Sequence, residues 1–354
     1  MNLISGIQQV GVGVKKVYEA LDWYHKHLGF NTPVIDDAGT AELMLPYTAG
    51  KPQKRHAVMA YNLQGGGGLE IWQYVDRTPS PPAFDLHLGD LGIHMTKIKS
   101  KDVKALYDRL KKENVAVLGD LKKSPDGRSV LYFSDPYGNL FQAVETEEVF
   151  KKTKYKNGGV FGAVIGVSDM EASVAFYRDV LGYDRILYDR TEAFDDYKEI
   201  PGGAWILRRV LLTHSNKRPG PFSRLFGKSE IELIRSEERK GEKIFKDRLW
   251  GDLGFIHLCF DVLDMNALKE KCEKAGFPFT VDSGAGQKGE SFDMGQGAGR
   301  FSYIEDPDGT LIEFVETHKI PVIKKLGWFI DLRKRDREKP LPDFVLKLLD
   351  IGRD

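Results

Sequence analysis

The sequence is poor in cysteine, balanced in charge and free of long apolar runs, and each of these shortages closes off a class of protein. Only Cys259 and Cys272 occur, thirteen positions apart. That spacing supports neither a disulfide framework nor a zinc ribbon, and it suits a reducing cytoplasm. Lysine plus arginine equals aspartate plus glutamate at 52 each, which removes the global electrostatic case for nucleic acid or an acidic membrane surface as partner. The opening stretch MNLISGIQQVGVGVKK has no charged leader followed by an apolar core, and no run of about 18 apolar residues occurs anywhere. The chain is therefore expected to be neither secreted nor membrane-spanning. At 354 residues it exceeds the roughly 100 to 200 of one domain, so two or more domains with substantial cores are expected.

What is present is a repeat. GIQQVGVGVKKVYEALDWYHKHLGF (6–30) matches GAVIGVSDMEASVAFYRDVLGY (162–183) at an offset of 153, with LGF falling on LGY. Farther on, GDLGIHM from Gly89 matches GDLGFIHL from Gly251, and DPYGNLFQAVE from Asp135 matches DPDGTLIEFVE from Asp306. Val10, Val12 and Val14 alternate with Gln9, Gly11 and Gly13, the period of a strand with one face buried. Val17, Leu21, Tyr24 and Leu28 then recur at helical spacing, as do Met170, Val174, Tyr177 and Leu181, and Gly29 and Gly182 end these helices. The second part of each half repeats strand, helix and strands through an Asp-Pro-x-Gly turn. The periodicity predicts a first module over 1–147, a charged linker over 148–158, a second module over 159–318, and a tail over 319–354. The tail's apolar positions Phe344, Leu346, Leu348 and Leu349 suggest a short helix serving as a packing strap or dimer contact.

A strand, a helix ending in FYRDVLGY, a strand opening with His257 and the run DPDGTLIEFVE together resemble the vicinal oxygen chelate superfamily, which includes glyoxalase, bleomycin resistance proteins and extradiol dioxygenases. The likeness covers about residues 1–318. It implies an α+β fold of four βαβββ units in two paired, cupped mixed sheets, acting as monomer or homodimer on a small molecule. In that family metal ligands stand on the first and last strands of a unit. The corresponding places hold Gln9, Glu70, His94 and Gln142 in the first module and Gly162, Glu232, His257 and Glu313 in the second.

Alternation decides which of these reach a cavity. Leu258, Phe260 and Val262 form an apolar face that leaves His257, Cys259 and Asp261 on the other, and Ile312 and Phe314 likewise turn Glu313 away from the core. Within modules each site has a gap, Gln142 replacing a carboxylate in one and Gly162 offering nothing in the other. If unit one pairs with unit four, Gln9, Glu70, His257 and Glu313 form the complete glyoxalase pattern, and Gly162, Glu232, His94 and Gln142 are a degenerate remainder. If pairing stays within the second module, Glu232, His257 and Glu313 remain. The sequence leaves this choice open, and with it whether a metal is bound at all.

The resemblance implies a divalent metal, zinc, nickel, manganese or iron, and a glyoxalase-like isomerase or lyase in which Glu313, with Glu70 as counterpart, ligates and shuttles a proton. An extradiol dioxygenase needs two histidines and one carboxylate, and Gly162 stands at one histidine's place. A metal-free ligand-sequestering protein would line its cavity with aromatics such as Trp72 and Tyr74. His25 and His27 read as solvated helix surface, His214 as part of a solvated loop, 284–300 as a flexible cavity-edge loop, and Cys259 as no nucleophile.

Overall fold

The computed structural model describes residues 3–285, 292–293, 298–323 and 328–350. Four units follow one another. The first is β1 (Ile4–Gly13), α1 (Val17–Leu28), β2 (Thr32–Ala41), β3 (Gln53–Tyr61) and β4 (Gly68–Tyr74); the second is β5 (Gly92–Ser100), α2 (Val103–Lys112), β6 (Ala116–Lys123), β7 (Ser129–Ser134) and β8 (Leu140–Glu145). The third is β9 (Asn157–Gly166), α3 (Met170–Asp179), β10 (Arg185–Ala193), β11 (Ile206–Thr213), the one-turn α4 (Ser223–Phe226) and β12 (Glu230–Ser236). The fourth is β13 (Gly254–Val262), α5 (Met265–Lys274), the short β14 (Val281–Asp282) and β15 (Phe292–Asp293), β16 (Ala298–Glu305) and β17 (Leu311–Ile323), after which come β18 (Trp328–Asp331) and α6 (Asp343–Lys347). No helix among the described residues is long and apolar enough to cross a membrane. Of the glycine-rich run 284–300, residues 286–291 and 294–297 lie outside the described residues.

Local chemistry starts the helices. Asp102, Asp169 and Asp264 accept hydrogen bonds from the Ala105, Ala172 and Ala267 amides and so satisfy first-turn donors of α2, α3 and α5. Gly29 takes the left-handed conformation, φ 74°, that closes α1.

The sheets pair across the halves of the chain. Units one and four share one sheet, in the order β14-β16-β17-β13-β1-β4-β3-β2, with β15 and β18 added to β16 and β17. Units two and three share the other, β10-β11-β12-β9-β5-β8-β7-β6. The junctions β1 with β13 and β5 with β9 are antiparallel, whereas each unit's first strand is parallel to its last. Val10, Val12, Leu258, Phe260, Ala163 and Ile165, from both sheets, join residues of α1, α2, α3 and α5 in one core. The opposite face of each sheet curls into a cup. β1 differs from expectation in being buried on both faces, because it lies at the centre of its sheet with the core on one side and cup contents on the other.

The start of the tail extends the sheet: β17 runs past 318 to Ile323 and pairs with β18. On α6, Leu346 is buried as expected, but Val345 is buried beside it and Phe344, expected on the same face, is 65% exposed. Leu341, Val345 and Leu346 pack on Met59 and Tyr61 and on Phe222, Leu225 and Phe226, so the tail straps the loop before β12 to the first unit's sheet.

Candidate metal centre

Four neighbouring strands of the first sheet deliver Gln9 (β1), Glu70 (β4), His257 (β13) and Glu313 (β17) to the floor of its cup. On β1, Gly11 faces His257 on one side and Glu70 on the other, while Gln9 faces Cys259, which in turn faces Glu313. The imidazole fills the space a side chain on Gly11 would take: a Cβ there would lie 2.4 Å from His257 Cε1. His257 Nε2 stands 3.1 Å from Glu313 Oε2 and 3.2 Å from Glu70 Oε2. Gln9 donates from Nε2 to Glu313 Oε2 at 3.3 Å.

Burial disfavours charge on this histidine, but Glu313 and Glu70 outweigh it and hold the imidazole pKa up at about 9. Burial likewise raises Glu70, and His257 brings it below its usual value. One imidazolium opposes two carboxylates, leaving a buried excess of negative charge. Gln9 Oε1 is buried without a hydrogen-bond partner, a costly state for a polar atom. Ligand atoms of Glu70, His257 and Glu313 lie within 4.8 Å of one another. An imidazole nitrogen, two carboxylates and an amide oxygen suit zinc, nickel, manganese or iron without choosing among them, so the residues fit a divalent cation.

The second cup supplies the contrast. Glu232 is brought not to His257 but to the other sheet, where Arg209 Nη2 lies 2.6 Å and Lys97 Nζ 3.0 Å away and Tyr188 donates a hydrogen bond at 2.8 Å. Burial pushes this carboxyl up, but Arg209 and Lys97 prevail and hold it far below the usual range. The set Glu232, His257 and Glu313 is therefore not assembled, because unit three pairs with unit two. Gly162 stands on β9 of the same second sheet, and Gln142 donates to the Tyr132 hydroxyl at 2.9 Å. His94 is not the counterpart of His257. Lys97 faces Gln142 as Cys259 faces Glu313, so Met95, two residues before Lys97, holds the equivalent place. His94 bonds the Asp90 carbonyl at 2.7 Å, and burial lowers its pKa to about 4.

Above the first floor lies a cavity of about 330 Å³ whose lining includes Gln9, Glu70, Glu313, Trp72, Trp250 and Tyr303. Trp72 is thus where expected, but Tyr74 instead lies under the Arg77 guanidinium, 3.8 Å from its ring centroid. Cys259 is buried, and burial and the neighbouring carboxylates push its thiol far up, which keeps it protonated and unreactive. His27 is not solvated: it is buried, with Nδ1 2.7 Å from Glu113 Oε2. Nor is His214, whose Nδ1 bonds the Asn216 carbonyl at 2.7 Å and whose pKa burial lowers to about 4. Sequence reasoning missed Gly11, Trp250 and Tyr303. Gly11 alternates with Val10 and Val12, which was the available sign that its missing side chain faces the cup.

Residues 6–143 and 160–314 match the sequence model of the Glyoxalase/Bleomycin resistance protein/Dioxygenase superfamily. Glyoxalase I from Zea mays overlays with a TM-score of 0.53 at 13% identity, covering 88% of this chain and 92% of that one. A putative dioxygenase from Bacillus subtilis overlays with a TM-score of 0.56 at 13% identity, covering 89% of this chain and 86% of that one. At such identities these similarities establish the fold.

Proposed function

The chain belongs to the Glyoxalase/Bleomycin resistance protein/Dioxygenase superfamily, and from that premise we propose that it is a metal-dependent isomerase or lyase acting on a small substrate through vicinal oxygens. The observation that carries this is the convergence of Glu70, His257 and Glu313 beneath a cavity, their ligand atoms within 4.8 Å of one another and the adjacent Gln9 Oε1 buried without a hydrogen-bond partner. Gln9, Glu70, His257 and Glu313 would hold the ion. When bound, a divalent metal acidifies the C–H next to a substrate oxygen and stabilises the negative charge that forms.

The rest falls to the protein. Glu313 lines the cavity and touches both Gln9 and His257, so it is placed to take a proton from a substrate carbon and return it to the neighbouring one. Glu70 lines the same floor from β4 and is its counterpart across the site. His257, with no exposed surface, orients both carboxylates and meets no substrate. The extradiol dioxygenase alternative is disfavoured by the donor set: that chemistry needs two imidazoles and one carboxylate, and the cluster has one imidazole and two carboxylates.

Metal analysis of protein purified without chelator tests the reading. Wild type is expected to carry about one divalent ion per chain, and Glu70→Ala and Glu313→Ala less than about a tenth of that, the scale of losing one ligand. A wild-type protein without metal, or full metal in either variant, would sink it.

A further inference from the structure

The cavity's walls differ from its floor in a way that specifies the substrate. Four carboxylates, Asp37, Glu42, Glu70 and Glu313, line it among the described residues, against the single cation Arg55. Arg55 is already engaged: its Nη2 lies 2.5 Å from the Asp37 carboxylate and its Nη1 donates to the Asp37 carbonyl at 2.6 Å. Even with a dication on the floor, four negative charges face three positive ones among the described residues, and none of the described residues lining the cavity is an unengaged side-chain cation. The apolar wall is aromatic. Trp72 and Trp250 meet edge to face with centroids 4.5 Å apart, and Trp250 meets Tyr303 at 90°. The Trp250 indole nitrogen is buried without an acceptor, so it retains an N–H for a ligand oxygen or π-face, whereas the Trp72 N–H is directed to the Glu70 carboxylate. A volume of about 330 Å³ is at the small end of the ligand-pocket range of roughly 300–1,000 Å³.

We propose that this site takes a neutral, single-ring aromatic compound with its vicinal oxygens at one end, and that Trp72 and Trp250 form the wall that selects the ring. The orientation, oxygens down and ring up, rests on the metal-centre reading. The preference for a neutral aryl body rests on the walls alone. Trp250 is a specificity-determining residue in this arrangement, because it lines the cavity beside Trp72 as part of its aromatic wall.

Three probes separate these claims on the metal-loaded protein by titration calorimetry: 2-hydroxyacetophenone (neutral, aryl), hydroxyacetone (neutral, no aryl) and mandelate (aryl, anionic). The first is expected to bind at least about tenfold more tightly than either of the others, the scale of one well-placed ring contact or one unpaired charge. Trp250→Ala should cut its advantage over hydroxyacetone to below about threefold, and Trp250→Phe should keep most of it. Mandelate or hydroxyacetone binding as tightly as 2-hydroxyacetophenone to the wild type would overturn the proposal whatever the variants do. Quenching of tryptophan fluorescence in chelator-treated protein keeps the two readings apart. There the aryl preference over hydroxyacetone should persist without metal, so failure of the metal centre and failure of the aromatic wall give different results.

Discussion

At the residue scale, the centre depends on one atom that is missing. Gly11 leaves the space into which His257 turns, and a methyl there would sit 2.4 Å from the ring. Gly11→Ala is expected to displace the imidazole, reduce bound metal below about a tenth of wild type, and cost about 1–3 kcal/mol as an overpacked core position. Metal content and urea midpoints measured together check this; a stable variant with full metal would show that the ring is not seated against β1. Much of the floor was legible in sequence because strand alternation is local: the apolar flanks of His257 and Glu313 say which way those side chains turn. The surroundings of His27 and His214 were not. Glu113 and Asn216 bury and satisfy them, and a histidine's own neighbours in sequence do not reveal such partners.

At the element scale, the repeat conserves clasps as well as strands within this chain. Tyr24 of α1 donates to Asp135 at 2.6 Å, and Tyr177 of α3 donates to Asp306 at 3.0 Å. Each clasp ties the first helix of a module to that module's Asp-Pro-x-Gly turn. Asp90 holds Arg239, and Asp252 holds Arg77 at 2.6 Å; these contacts instead tie units two and three, and one and four. Tyr24→Phe and Tyr177→Phe should each cost about 1–3 kcal/mol in chemical denaturation by leaving a buried carboxyl without that donor. Asp306 also gives a pH signature. Burial, opposed by hydrogen bonds from the Thr310 and Asp308 amides and from Tyr177, raises its pKa to about 6, above the roughly 3.9 of an unfolded aspartate. The folded state therefore holds this proton more tightly, and its contribution is present below about pH 4 and lost as pH rises through about 6. Two pKa units correspond to about 3 kcal/mol. Relative to wild type, Asp306→Asn should lose less stability between pH 4 and 6.5, read from urea midpoints; parallel curves would refute the assignment.

At the scale of the whole molecule, neither half of the sequence owns a sheet. Residues 1–147 contain β1 and β5, whose antiparallel partners β13 and β9 lie in the other half, so an isolated half exposes two long unpaired edges. Expressed alone, 1–147 and 148–354 are each expected to aggregate or self-associate, and together to reconstitute a soluble, metal-binding complex; a folded monomeric half in size-exclusion chromatography would contradict this. The same pairing makes the two cups unequal, one floored by Glu70, His257 and Glu313, the other closed by Arg209 and Lys97 on Glu232. The sequence by itself determined the repeat, the four strand-and-helix units and the side of β13 and β17 that faces the cup, because these follow from periods of two and 3.6 residues and from turn chemistry acting over a few residues. Which unit joins which was decided only by the tertiary structure. Partner strands such as β1 and β13 lie far apart in sequence, and their selection rests on the burial of both sheets and four helices in one core. That choice assembled Gln9, Glu70, His257 and Glu313, and left Glu232 with its own cations.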